Sequence, residues 1–101
     1  MRRAAKVDGN QAAIVSALRQ VGATVTPCHG VGEGFPDLCV GWSGETFLLE
    51  IKDPSQPISG QALTPPQVKW HNNWRGHARV VRTVKEALEA VGIPFKGDLK
   101  C

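Results

Sequence analysis

The sequence predicts an α/β fold: a mixed four-stranded sheet flanked by helices, in the order αβββαβα. Three observations predict it. Capped or amphipathic helical segments fall at residues 8–22, 64–74 and 83–92. Short apolar runs bounded by glycine or proline fall between and beside them, at residues 23–28, 37–41, 47–52 and 76–82. Ser43-Gly44 separates the second run from the third as a hairpin turn, which makes those two antiparallel. The crossover through the second helix sets the fourth strand parallel to a neighbour.

The elements follow in order. Asp8 and Gln11 form a capping box, and Ile14, Leu18 and Val21, with Ala13 and Ala17, make an apolar stripe that stops at Gly22. Residues 23–28 alternate Val25 with threonines and end near Pro27, so this strand is short or at a sheet edge. A glycine-rich loop from His29 to Gly34 follows, able to approach a ligand closely. Leu38, Cys39 and Val40 form the next run, with Cys39 read as a small core residue. Residues 53–63 hold two prolines, a glycine and no periodicity, and read as a long loop. Thr64 then caps a helix with Pro65 at its first position, running through Trp74. Gln67 and His71 share one side of that helix; Trp70 and Trp74, also four apart, share another and read as core or dimer anchors. After the fourth strand, Thr83 and Glu86 cap the last helix, which carries Ala87, Leu88 and Val91 to Gly92. The chain of 101 residues is one domain, with its core at about 8–91 and a basic tail at about 94–101.

Composition narrows the class. A net charge of +3 permits a polyanionic partner, depending on where the charge sits. Cys28, Cys39 and Cys101 are odd in number and lack a Cys-x-x-Cys pair, which argues against a disulfide scaffold and for a reducing compartment. Cys28, His29, Cys39, His71 and His77 match no familiar zinc spacing. Met1-Arg2-Arg3 is not followed by a hydrophobic segment, and no run is long enough to span a membrane. A cytoplasmic protein is expected, in the host cytoplasm if the source is viral, with no membrane partner and no organic cofactor.

The chemistry concentrates in Gly34-Phe35-Pro36-Asp37 and, after twelve intervening residues, in Glu50-Ile51-Lys52. Strand alternation puts Leu48, Glu50 and Lys52 on one face and Phe47, Leu49 and Ile51 on the other. An antiparallel hairpin could bring Asp37 near Glu50. Two carboxylates without thiolates or paired imidazoles suit a hard cation, and Mg²⁺ fits best, with Mn²⁺ as a substitute. The Ile51 carbonyl could complete the shell. Lys52 adds a positive charge beside it; the alternative, an exposed ion-pair face for Glu50 and Lys52, is disfavoured because the segment before Glu50 is too apolar for a solvated face. Glu33 and His29 lie close in sequence, with solvent exposure the simpler account of both.

This pattern resembles the signature of the PD-(D/E)xK nuclease superfamily, and the small size resembles its phage-type VRR-NUC branch. The resemblance covers about residues 8–91 and implies a restriction-endonuclease-like core. It implies catalytic roles for Asp37, Glu50, Lys52 and Gln67, and metal binding by Asp37, Glu50 and the Ile51 carbonyl. Members often add a glutamate from the first helix; here no glutamate precedes position 33, so Asn10 or Gln11 would stand in, or the site works with two acids. Asn10 and Gln11 are equally readable as capping residues, and Gln67 as the partner of Thr64 in a capping box. The implied activity is Mg²⁺-dependent DNA endonuclease action on branched DNA such as a Holliday junction. A homodimer is implied because cutting two strands needs two sites. Lys69, His71, Arg75, His77, Arg79 and Arg82 form a basic sector for phosphate contacts. The alternatives are a non-catalytic nucleic-acid-binding module of the same fold, an RNA nuclease, or a subunit of a restriction-type complex.

Overall fold

The computed structural model describes residues 9–94, so the capping box expected at Asp8 and nearly all of the basic tail lie outside the described residues. The elements are α1 (Gln11–Gln20), β1 (Thr24–Pro27), β2 (Leu38–Trp42), β3 (Glu45–Ile51), α2 (Ile58–Gln61), α3 (Pro65–Asn73), β4 (Ala78–Val81) and α4 (Val84–Ala90). One element was not expected. The segment read as an irregular loop contains the single turn α2, held by Gln61, whose amide donates to the carbonyl of Gln56 at 2.8 Å.

The strands form one mixed sheet in the order β1-β2-β3-β4, antiparallel except for the parallel pair β3 and β4. Pro27 closes an edge strand, where its missing N–H costs no ladder bond. Ser43 and Gly44 both have positive φ, 53° and 80°, which is the two-residue hairpin geometry matching strand twist.

Register separates the two faces of the sheet. Val25 pairs with Val40, Leu38 with Leu49, and Ile51 with Val81, so these residues share one side. Against it pack Ile14 and Leu18 of α1, and Ala87 and Leu88 of α4 with Val91 after it, closing the core. Both helices end alike. Gly22 (φ 99°) and Gly92 (φ 89°) sit just past the last turn, and the next residues, Ala23 and Ile93, donate back to the carbonyls of Leu18 and Leu88. This satisfies carbonyls that would otherwise be orphaned, in a backbone conformation glycine adopts without strain. Two expectations need correction here. Val21 is 39% exposed because the helix has already ended, and the buried residues of α1 are Gln11, Ile14 and Leu18. Cys39 pairs with Leu48 on the face away from this core, so it is half-buried there and no part of the core.

The other face carries Glu50 and Lys52, and α3 lies over that end of it. Thr64 and Gln67 form the expected capping box at its start. Gly34 lets the glycine-rich loop pack onto this helix: a Cβ there would collide with the Pro66 carbonyl, and its φ is 82°. Among the described residues no helix is long and apolar enough to cross a membrane.

Candidate active site

The β2 and β3 register runs from Trp42 opposite Glu45 to Leu38 opposite Leu49. One step further, Asp37 stands opposite Glu50, and directly opposed residues project to the same side of an antiparallel pair. Asp37 is fixed there from two directions. Its Oδ2 accepts from the Ile51 backbone N–H at 2.8 Å, and its carbonyl accepts from the Cys28 N–H at 2.6 Å. The first bond replaces a ladder bond at the strand end and holds the carboxylate across β3, beside Glu50.

Glu50 is only 2% exposed and Lys52 7%, so this is a buried charge pair and not a solvated face. Lys52 Nζ lies 3.7 Å from Glu50 Oε2. Gln67 links the two: its Oε1 accepts from Lys52 Nζ at 2.9 Å, and its Nε2 donates to Glu50 Oε2 at 3.0 Å. The same Oε1 accepts from the Thr64 N–H at 2.9 Å, completing the cap of α3. Capping and a place in the charged cluster, both open in the sequence, are carried by one side chain.

A cleft of about 290 Å³ lies beside this cluster, lined among others by Asp37, Gln67, Thr64, His29 and Glu33 but not by Glu50 or Lys52. Gln67 is the member of the cluster that lines it, and it bonds to both Lys52 and Glu50. Glu33 and His29 thus border the cleft. Glu33 has φ 56°, and His29 Nδ1 is buried with no hydrogen-bond partner among the described residues.

Asn10 does not cap α1 through its side chain. Its Nδ2 donates to the Lys52 carbonyl at 3.2 Å and to the Arg82 carbonyl at 2.8 Å, clamping the helix start across the ends of β3 and β4. Asn10 Oδ1 and Gln11 Oε1 are both buried and lack a donor among the described residues. Such an acceptor left unsatisfied costs about 1–3 kcal/mol, so oxygens of this kind suit a ligand. Gln11 Oε1 belongs to α1; no bond ties it to Asp37, Glu50 or Lys52 among the described residues.

The basic side chains are not gathered into one sector. His71 sits one turn after Gln67, half-buried, its Nε2 without a partner among the described residues. Burial first, and the Lys52 charge second, hold its pKa below the usual value, so it is a neutral neighbour of the cluster. Lys69 and Arg75 are exposed on and just after α3. His77 pairs with Glu45 at 2.8 Å and stacks on Phe47, at the far end of β3 from Glu50. Arg79 pairs with Leu49, which puts it on the opposite face of the sheet from Glu50. Arg82 had been read only as part of the sector. The β3 and β4 register, extended one step past Ile51 and Val81, puts it on the Lys52 side, where its Nε donates to Gln61 Oε1 at 3.1 Å. The signal was present in the spacing of two residues between Val80 and Arg82, readable only with the parallel register known.

Among the described residues no three His, Cys, Asp or Glu side chains converge as a metal cage. The donors that the strand register brings to this end of the sheet are two carboxylates and a strand carbonyl. That set fits a hard divalent ion, which keeps several waters and takes few protein ligands, and does not fit zinc. Compared with known protein families, with curated proteins and with solved structures, the chain matches none of them.

Proposed function

We propose that the protein is a Mg²⁺-dependent DNA endonuclease of the PD-(D/E)xK superfamily, with a restriction-endonuclease-like core, acting on branched DNA. The observation that carries the reading is the buried Glu50, Lys52 and Gln67 cluster with Asp37 aligned opposite Glu50 at the edge of an open cleft. A surface ion pair needs neither burial nor a cleft. Keeping an ammonium and a carboxylate out of water is expensive, and proteins accept that expense most readily where the charges act on a ligand.

Asp37, Glu50 and the Ile51 carbonyl would hold the ion, with Asn10 Oδ1 or Gln11 Oε1 as a further oxygen. When bound, Mg²⁺ supplies charge neutralisation at the phosphate and a water of lowered pKa. The chain's own groups do the rest. Lys52, held by Gln67 and Glu50, keeps a positive charge where negative charge grows on the phosphoryl oxygens. Gln67, which lines the cleft, offers an amide that can orient water or a phosphate oxygen. Hydrolysis breaks one phosphorus–oxygen bond of the strand as water adds, leaving a phosphate and a hydroxyl end. A symmetric homodimer would bring two such sites to one junction.

Purified protein incubated with four-way junction, flap, supercoiled and linear DNA, in Mg²⁺, Mn²⁺ or EDTA, tests the reading. Cleavage in Mg²⁺ or Mn²⁺, lost in EDTA and in Asp37→Ala and Lys52→Ala, is expected. No cleavage of any substrate, or undiminished cleavage by both variants, refutes it. Gel filtration with light scattering reads the dimer. A second reading, a non-catalytic nucleic-acid-binding module, is favoured by one feature: the first turn of α1 has no acidic residue. Salt-dependent binding without metal-dependent turnover would establish it.

A further inference from the structure

We infer that the face of α3 beside the candidate active site is a binding pocket for an unstacked nucleobase, so that the preferred substrate carries unpaired nucleotides next to the cut. The inference rests on the nucleic-acid reading above for the identity of its occupant. A cavity of about 640 Å³ lies along α3, lined by Pro65, Pro66, Lys69, Trp70, Asn73 and Trp74, with Glu33 at its edge. These positions recur at steps of four, which is one side of a helix. The two indoles stack with centroids 4.7 Å apart and planes 18° from parallel. Phe35 props Trp70 edge-on at 5.4 Å, so the platform is fixed from the glycine-rich loop. Trp74 remains 41% exposed.

The tryptophans therefore do not serve the core, which packs on the other face of the sheet. An aromatic platform held rigid and left open to solvent has an occupant to receive. Three features select a base joined to a phosphodiester. Flat ring and proline walls match the face of a base, which stacks on aromatic side chains whatever its identity. Lys69 supplies a cation for the backbone phosphate, and Asn73 an amide for a base edge. The pocket also adjoins the Asp37 cleft, because Glu33 and Pro66 line both. A strand crossing the cleft can thus leave its neighbouring base against Trp74. A second copy of the chain fits less well: an ordinary protein interface buries about 800 Å² per partner, and this is a concave pocket of small-ligand size.

The test measures binding of the full chain, in EDTA so that nothing is cut, to a labelled single-stranded oligonucleotide and to the same strand carrying abasic residues, at one fixed salt concentration. Stacking of a single base corresponds to a preference for the base-bearing strand of about fivefold or more. That preference is expected in the parent, lost in Trp74→Ala and largely kept in Trp74→Phe. Equal affinity for the two strands overturns the inference, as does an unchanged preference in Trp74→Ala. So does a Trp74→Ala protein that changes only its oligomeric mass, since the pocket would then seat a second copy. Cleavage in Mg²⁺ is measured separately on the same strands and on a junction. Base preference without any cleavage would sink the nuclease reading and keep the pocket, whereas cleavage without base preference would do the reverse.

Discussion

The charge pair beneath Gln67 makes the sharpest prediction. Lys52 Nζ and Glu50 Oε2 are 3.7 Å apart, with side chains 9% and 3% exposed. At that distance the attraction is about 4.5 kcal/mol for an effective dielectric of about 20. Replacing the ammonium, as in Lys52→Met, removes the attraction while the Gln67 amide still donates to the buried carboxylate. Breaking one half of a buried pair costs about 3–5 kcal/mol. A domain of this size has only about 5–15 kcal/mol in total. Taking about 3 kcal/mol, the melting temperature falls by roughly 12–24 °C.

The assay is thermal and urea unfolding followed by circular dichroism in EDTA, for the parent, Lys52→Met, and the double variant Glu50→Leu with Lys52→Met. The double variant removes both charges and is expected to return to within about 1–2 kcal/mol of the parent, since apolar replacement of a whole buried pair is often neutral or better. A Lys52→Met protein within about 0.5 kcal/mol of the parent would refute the argument, since the pair would then behave as a solvated surface contact. A double variant as damaged as the single one would refute it too, since shape and not charge would be what the site requires.

Three further outcomes can be checked. Asp37→Asn is expected to lower cleavage roughly 100-fold or more, while costing only about 1 kcal/mol of stability for the weakened bond to the Ile51 N–H; paired cleavage assays and urea melts separate the two effects. Gly34→Ala must adopt φ 82° against the Pro66 carbonyl, so a loss of about 2 kcal/mol or more is expected in urea unfolding, and an unchanged midpoint would mean that the loop does not rest on α3. His71 has a pKa held below its ordinary value by burial and then by Lys52, so the unfolded chain takes up a proton before the folded one does. Its contribution to stability is complete above about pH 6.5, the ordinary histidine value, and is lost as pH falls below it; melting temperatures from pH 8 to 5 should drop, and His71→Phe should flatten that drop.

Local signals were legible because they are enforced within a few residues. The hairpin at Ser43 and Gly44, the Thr64 cap and the glycine stops at Gly22 and Gly92 all depend on backbone conformations or hydrogen bonds that neighbouring residues decide. Alternation likewise placed Glu50 and Lys52 together and away from Ile51. The illegible parts depend on distant contacts. Asn10 joins carbonyls 42 and 72 positions away, and nothing in the local pattern distinguishes that from a helix cap. Arg79 and Arg82 look alike in a basic stretch until the parallel register puts them on opposite faces. Trp70 and Trp74 have the spacing of core residues, but the neighbours that would bury them are absent from that side of α3 among the described residues, and Phe35 arrives instead from the loop.

Gln67 explains why the helix cap and the charged cluster depend on one another. Its Oε1 is shared by the Thr64 N–H and the Lys52 ammonium, while its Nε2 is spent on Glu50. A residue whose only task was capping could point its side chain back along the helix and leave the sheet alone; one whose only task was the cluster would leave the Thr64 N–H to water. Joining both tasks ties the start of α3 to the end of β3, two elements that otherwise meet through few apolar contacts. Any group that draws Glu50 or Lys52 away from Gln67 must therefore also disturb the first turn of α3, and with it Pro66, which lines both the cleft and the aromatic pocket. Occupancy of the cluster and the shape of the neighbouring pocket are thus coupled through a single amide.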